Sequence, residues 1–258
     1  MPSLPLSQGK PLDVPRTVHQ ALELHRQGRI ADAERLYASV LAVRPDNIDA
    51  LQMLGDIKLA RGELAAALRL FAAALQLRPK SPQILSGYGL ALNGMGQHGE
   101  ALAAFDQAIK QKKSFAEAHN NRGGVLVALN RHADALESFE RAVAIKPDYA
   151  EAQYNRGFAL HRLGRNGEAL KAMERAIALR PGYAKAHANH GVVLDALGRT
   201  ADAITSYDRA LAIQGDLPDA LLNRAAALHA LKRYDEALQS LDRLLAGHPN
   251  HADGQYMR

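Results

Sequence analysis

Small and apolar residues keep step along nearly the whole chain. Alanine stands at Ala33, Ala67, Ala101, Ala135, Ala169, Ala203 and Ala237, each 34 residues after the last. Four residues beyond each comes a bulky side chain: Tyr37, Phe71, Phe105, Phe139, Met173, Tyr207 and Leu241. Glycine keeps the same period at Gly55, Gly89, Gly123, Gly157 and Gly191, with Ala21 and Ala225 at the two ends of that series. Proline falls at Pro45, Pro79, Pro147, Pro181 and Pro249, and Lys113 and Gly215 fill the two remaining steps. No insertion breaks the register. Self-similarity at a fixed period of this length marks an array of one repeated supersecondary unit.

Each period predicts two helices and a tight turn. In the fourth, helix A is expected from about Ala116 to Leu129 and helix B from about His132 to Ile145. Asn130 lies between them, where other periods place Gly28, Gly62, Gly96, Gly164 and Gly198. A left-handed residue ends a helix at such a point, which glycine tolerates freely and asparagine better than most. Asp134, Glu168, Asp202 and Glu236 fall in the first turn of helix B, where negative charge suits the helix dipole. Pro147 and Pro181 stop helix B by removing a donor and restricting the residue before them. The recurring Gly and Ala let helices cross closely, and Phe71, Phe105 and Phe139 fill the space between units.

Leu54-Gly55, Ala67 to Phe71 and Pro79 together resemble the tetratricopeptide repeat (TPR) family, whose unit is about 34 residues. The resemblance runs from Val14 to His251. It divides the chain into a flexible leader, 1–13, and seven units at 14–47, 48–81, 82–115, 116–149, 150–183, 184–217 and 218–251. Residues 252–258 parallel the start of helix A, so an eighth unit is expected to begin there. The family's Trp is missing: Leu51 and Leu85 stand in its place. The resemblance implies an all-α, right-handed superhelical solenoid of antiparallel helix pairs. One unit cannot bury its apolar faces alone, so stability comes from stacking.

Composition supports helix and narrows the function. Ala and Leu dominate, and the chain has neither Cys nor Trp. No apolar run reaches the roughly 18 residues needed to span a bilayer. The first 13 residues lack the apolar core, about 7–15 residues long, of a secretory signal, so a cytoplasmic protein is expected. The net charge of +5 is spread among acidic residues without a dense basic run, so nucleic acid is not the expected partner.

No catalytic constellation and no cofactor motif is present. Gly87-Tyr88-Gly89 starts like a dinucleotide fingerprint, but Leu92 takes the third glycine position; Gly9-Lys10 lacks the rest of a phosphate-binding loop. His119 and His187 share a repeat position, as do His161 and His229, but they recur every second unit, too far apart for one metal ion. These histidines are expected in solvent or along a groove. Arg29, Arg131, Arg165, Arg199 and Arg233 form a series just past helix A. They are expected to serve the helix C-terminal dipole rather than phosphates.

The candidate binding residues lie on helix A, which lines the concave face in the TPR family. Asn121, Asn155, Asn189 and Asn223 stand in register, preceded by His19, Met53 and Gly87. A carboxamide offers a donor and an acceptor, so such a series can hold the backbone of an extended peptide; alternatively it bonds neighbouring units. Tyr154, Phe158 and Arg162 share a face with Asn155 and are expected to form a hot spot. Lys185 and Asn189 match part of the clamp with which some TPR domains hold chaperone tails, and Asn223 matches a second part. Asp253 and Met257 occupy the remaining clamp positions, and Asp49, Glu117, Glu151 and Asp219 would repel a carboxylate. The expected function is therefore a non-catalytic scaffold for protein or extended-peptide partners, without metal. The Asn series and Ala118-His119-Asn120-Asn121-Arg122-Gly123 also resemble the TPR arm of O-linked N-acetylglucosamine transferases and their bacterial SPINDLY-type relatives, which implies a substrate-recruiting role ahead of a glycosyltransferase domain. Helix B of the seventh unit carries Leu238, Leu241, Leu244 and Leu245, part of which the unfinished eighth unit leaves uncovered, so this end is expected to promote self-association.

Overall fold

A computed structural model describes residues 12–258. The expected leader therefore lies outside the described residues except for Leu12 and Asp13. Among the described residues there are fifteen helices and no strand. The helices of type A are α1 (Val14–Arg26), α3 (Ile48–Ala60), α5 (Pro82–Gly94), α7 (Ala116–Ala128), α9 (Ala150–Arg162), α11 (Ala184–Ala196) and α13 (Pro218–Ala230). Those of type B are α2 (Ile30–Val43), α4 (Leu64–Leu77), α6 (His98–Gln111), α8 (His132–Ile145), α10 (Asn166–Leu179), α12 (Thr200–Ile213) and α14 (Tyr234–Gly247); α15 (Ala252–Met257) follows.

Local chemistry sets these limits. Asp13 accepts from the Arg16 amide, and Asn47 accepts from the Ala50 amide at 2.9 Å, each capping its helix. Pro82 and Pro218 occupy first helical positions, where the missing N–H costs nothing. The turns from A to B share one hydrogen-bond pattern. After α1, the Arg29 amide donates to the Leu24 carbonyl and the Gly28 amide to the His25 carbonyl, which satisfies carbonyls the helix leaves open. The left-handed residue of this turn is glycine in five repeats, Asn130 in the fourth and Lys232 in the last. Lys232, at φ 62°, is a position the glycine pattern did not single out.

The described residues form two compact units that divide between Ala118 and His119. In the first, α1 packs on α2, α3 on α4 and α5 on α6, while α2 meets α3 and α4 meets α5. In the second, α9–α10, α11–α12 and α13–α14 pair in the same way, each B helix also packing on the next A helix. The glycines of helix A make the pairing close. A Cβ on Gly55 would come within 2.9 Å of the Phe71 ring, one on Gly123 within 2.5 Å of Phe139, and one on Gly191 within 2.6 Å of Tyr207. Those rings are buried almost completely, and a fully buried side chain of this size contributes about 1.5–3 kcal/mol.

Candidate functional site

Since A helices use one side to pack against B helices, the opposite stripe is left for other contacts. In the second unit α9 and α13 both lie against α11, and their stripes border a cavity of about 340 Å³. Tyr154 and Phe158 come from α9, Lys185, Ala188, Asn189 and Val192 from α11, and Asp219, Ala220 and Asn223 from α13, with Leu217 and Pro218 at its entry. The spacing 185, 189, 192 is one helical stripe. Lys185 and Asp219 are exposed and form no ion pair among the described residues, so two opposite charges stand free beside carboxamides and an apolar wall.

Five of the eight residues singled out in the sequence meet here: Tyr154, Phe158, Lys185, Asn189 and Asn223. Asn121, Asn155 and Arg162 do not line this cavity. Asn121 is half-buried on α7, and Arg162 is exposed at the end of α9. Val192, Leu217 and Pro218 were not singled out, and Asp219 was noted only as a group that would repel a carboxylate. A signal was available for three of them, since Val192 and Asp219 occupy the repeat positions of Phe158 and Lys185 and Pro218 stands next to Asp219.

The four asparagines are not equivalent. Asn155 donates from Nδ2 to Asn120 Oδ1 at 2.9 Å, and Asn189 donates from Nδ2 to the Tyr154 hydroxyl at 2.8 Å. Both bonds run from one A helix to the preceding one. They make Asn155 and Asn189 in part links between repeats, the alternative left open by the sequence. Asn120 is 2 % exposed, and its own amide lies 3.4 Å from Tyr149 Oη and from Glu151 Oε1. For Asn223 the corresponding partner position is Ala188, which has no polar side-chain atom. Asn223 makes no side-chain hydrogen bond among the described residues, so its donor and acceptor are free at the cavity. Burial raises Tyr154 above the usual phenol range, partly opposed by the bond from Asn189. Its ring lies 5.1 Å from that of Tyr183, which Arg180 covers at 4.8 Å. Burial, with Tyr154 and Glu151 nearby, pushes Tyr183 up to about 12.

The Arg180–Tyr183 contact belongs to a series missed in the sequence. Lys112 stands over Phe115 and Lys146 over Tyr149, each at 5.1 Å, so a cation covers an aromatic ring at the B-to-A turn of three successive repeats. The arginine series has a different role from the one expected. Arg29, Arg131, Arg165, Arg199 and Arg233 occupy N-cap positions of B helices and pair at 2.6–2.7 Å with Asp32, Asp134, Glu168, Asp202 and Glu236, three residues on. The acid serves the helix dipole and the arginine holds the acid. The histidines expected in solvent or along a groove also make local contacts, and His229 is exposed. His161 bonds Asn166 at 2.8 Å and the His229 ring packs edge-on against Tyr234, both across the A-to-B turn. His187 bonds the Pro181 carbonyl at 2.9 Å. Among the described residues no group of three or more His, Asp or Glu is arranged for a metal ion, and no helix is long and apolar enough to cross a membrane.

Family profiles match along most of the chain. Profiles described as tetratricopeptide repeat match residues 19–82 and 188–252, 58–122 and 148–215, and one described as TPR repeat matches 123–164. The chain belongs to the tetratricopeptide-repeat family. Solved structures agree on the TPR fold. A TPR protein from Parabacteroides merdae is 16% identical with a TM-score of 0.70, over 95% of this chain and 96% of that one. YrrB, described as a TPR protein with an unusual peptide-binding site, is 22% identical with a TM-score of 0.59, over 72% of this chain and 96% of its own. The Cut9–Hcn1 hetero-tetramer of the APC/C is 16% identical with a TM-score of 0.80, over 96% of this chain and 49% of that one. No curated protein matches at a significant level.

Proposed function

We propose that this TPR chain is a non-catalytic interaction scaffold that holds an extended peptide segment against the A-helix stripe of α9, α11 and α13. The observation that carries this reading is the cavity where Asn189 and Asn223, one repeat apart, meet Lys185, Asp219, Phe158 and Val192. The carboxamides engage the peptide backbone, the apolar wall receives a side chain, and the two free charges orient the segment. Asn223 is the principal anchor because neither side of its amide is already used. One hydrogen bond adds about 0.5–1.5 kcal/mol net, against roughly 1–2 kcal/mol for ordering each peptide residue. Affinity therefore depends on the apolar wall as well. The peptide-binding site named for YrrB supports the class of partner, and the cell compartment that fits is the cytoplasm.

The test is capture of proteins from lysate by the wild-type chain, Asn223→Ala, Phe158→Ala and Asn121→Ala. Asn223→Ala and Phe158→Ala should each lose most of the bound set, while Asn121→Ala, outside the cavity, should keep it. An unchanged set with all three variants would rule the site out. A second reading, the substrate-recruiting arm of an O-GlcNAc-transferase-like glycosyltransferase of the SPINDLY type, rests on the same asparagine register. It requires a transferase domain in the same polypeptide, and a gene whose product has none removes it.

A further inference from the structure

The same stripe changes chemistry in the first unit. On α3 the residues in register with Lys185, Asn189 and Val192 are Asp49, Met53 and Asp56. The other side of α3 places Ala50, Leu51, Leu54 and Ile57 in the core, so the two carboxylates share the outward stripe. Asp56 stands at the repeat position from which Phe158 and Val192 line the cavity of the second unit. It is half-buried, and no hydrogen bond or ion pair reaches it among the described residues. Burial pushes its carboxyl up to about 6, with no cation acting in the other direction.

A second observation comes from the neighbouring helix. Tyr37 on α2 is 0% exposed and its hydroxyl has no hydrogen-bond partner. Tyr37 shares a buried cluster with Ala50, Leu54 and Ile57 of α3, and Met53 of the stripe packs against that cluster; the charges of Asp49 and Asp56 both act on the phenol. The cation that acts on it, Arg26, is already bonded to Glu23 at 2.8 Å. The Nδ1 of His25, whose ring lies 6.4 Å from that of Tyr37, is likewise buried without a partner. A partly dry carboxylate without a counter-ion and a buried hydroxyl with unused capacity are both costly. An ammonium or guanidinium group on the stripe donates to the carboxylate and supplies the missing counter-charge. Hydrogen bonds of this charged kind are the strong ones. An apolar or acidic group leaves the carboxylate unmet or repels it.

We propose that the Asp49–Asp56 stripe of α3 is a subsite for one lysine or arginine side chain of a bound protein segment. The proposal rests on the reading that the A-helix stripe is the binding face. Its test is selection from a displayed random-peptide library on the whole chain, on Asp56→Asn and on Asp56→Lys. Wild-type chain is expected to enrich peptides with Lys or Arg at one recurring position. Asp56→Asn should lower that basic preference at least ten-fold while still enriching peptides, and Asp56→Lys should turn it toward Asp or Glu. Peptides enriched by wild type without a basic residue, or with the same preference from all three proteins, overturn the subsite alone. If none of the proteins enriches any peptide, the peptide-scaffold reading fails and the subsite with it.

Discussion

Two adjacent glycines on α7 face opposite circumstances. Gly123 meets the Phe139 ring so closely that an added Cβ would lie 2.5 Å from it, whereas Gly124 is exposed with nothing within 4 Å. Alanine improves helix propensity by about 1 kcal/mol at either position, but overpacking a filled core costs about 1–3 kcal/mol. Gly124→Ala should therefore stabilise by up to about 1 kcal/mol and Gly123→Ala should destabilise, as urea denaturation can measure; equal effects would contradict the packing. Asp56 supplies a second residue-scale prediction. Its carboxyl rises from 3.8 in the free residue to about 6 in the fold, so the folded state binds a proton that the unfolded state releases between those values. Stability should fall as pH rises from about 4 to 6 and level off above that. Asp56→Asn should remove the loss, stabilising by about 1–2 kcal/mol at pH 7–8 and by little at pH 4. A gain of equal size at both pH values would refute the assignment.

At the scale of the element, the hairpin is the unit that repeats, and its turn is the most uniform part. A left-handed residue, two backbone bonds back into helix A, and a polar or aromatic pair five residues apart across the turn recur with different side chains. Asn93 bonds His98, His161 bonds Asn166, and Thr200 bonds Asp195. The last turn departs from this economy by placing Lys232 at positive φ, a conformation that costs a residue with a Cβ roughly 1–2 kcal/mol. Part of that is returned as unfolded-chain entropy when glycine is introduced. Lys232→Gly should still raise the melting temperature, and a fall would show that the lysine side chain holds the turn in another way. The short ion pairs of the arginine series lie at the surface, where water screens them and they add little to stability. They orient the start of helix B more than they stabilise it.

For the molecule as a whole, stability is a sum over neighbours, because within each unit a repeat contacts those beside it. Interior helices such as α10, α11 and α12 pack on both sides, whereas α1 packs on α2, and α15, six residues long, on α14. Hydrogen exchange should accordingly be fastest in α15 and α1 and slowest in α9–α12. Uniform protection along the chain would mean that the array opens as one cooperative body. Side-chain chemistry on the stripe varies between repeats although the framework does not: Asp49 and Asp56 stand there in the first unit and Lys185, Asn189 and Asn223 in the second. That separation lets one framework present different surfaces.

Sequence alone determined the framework. A 34-residue period of small, aromatic and helix-ending residues can be satisfied only by helical hairpins of constant length, since each position has the same packing and backbone role in every repeat. It also placed Tyr154, Phe158, Lys185, Asn189 and Asn223 on a common stripe, because register on a helix follows from spacing. Tertiary structure alone decided which of the asparagines are already engaged. The bonds of Asn155 to Asn120 and of Asn189 to Tyr154 join residues 35 positions apart on different helices, and their existence depends on how closely those helices approach. The same holds for Asp56 and the Tyr37 hydroxyl, since burial without a partner is a property of the packed neighbours and leaves no mark in the pattern of the chain.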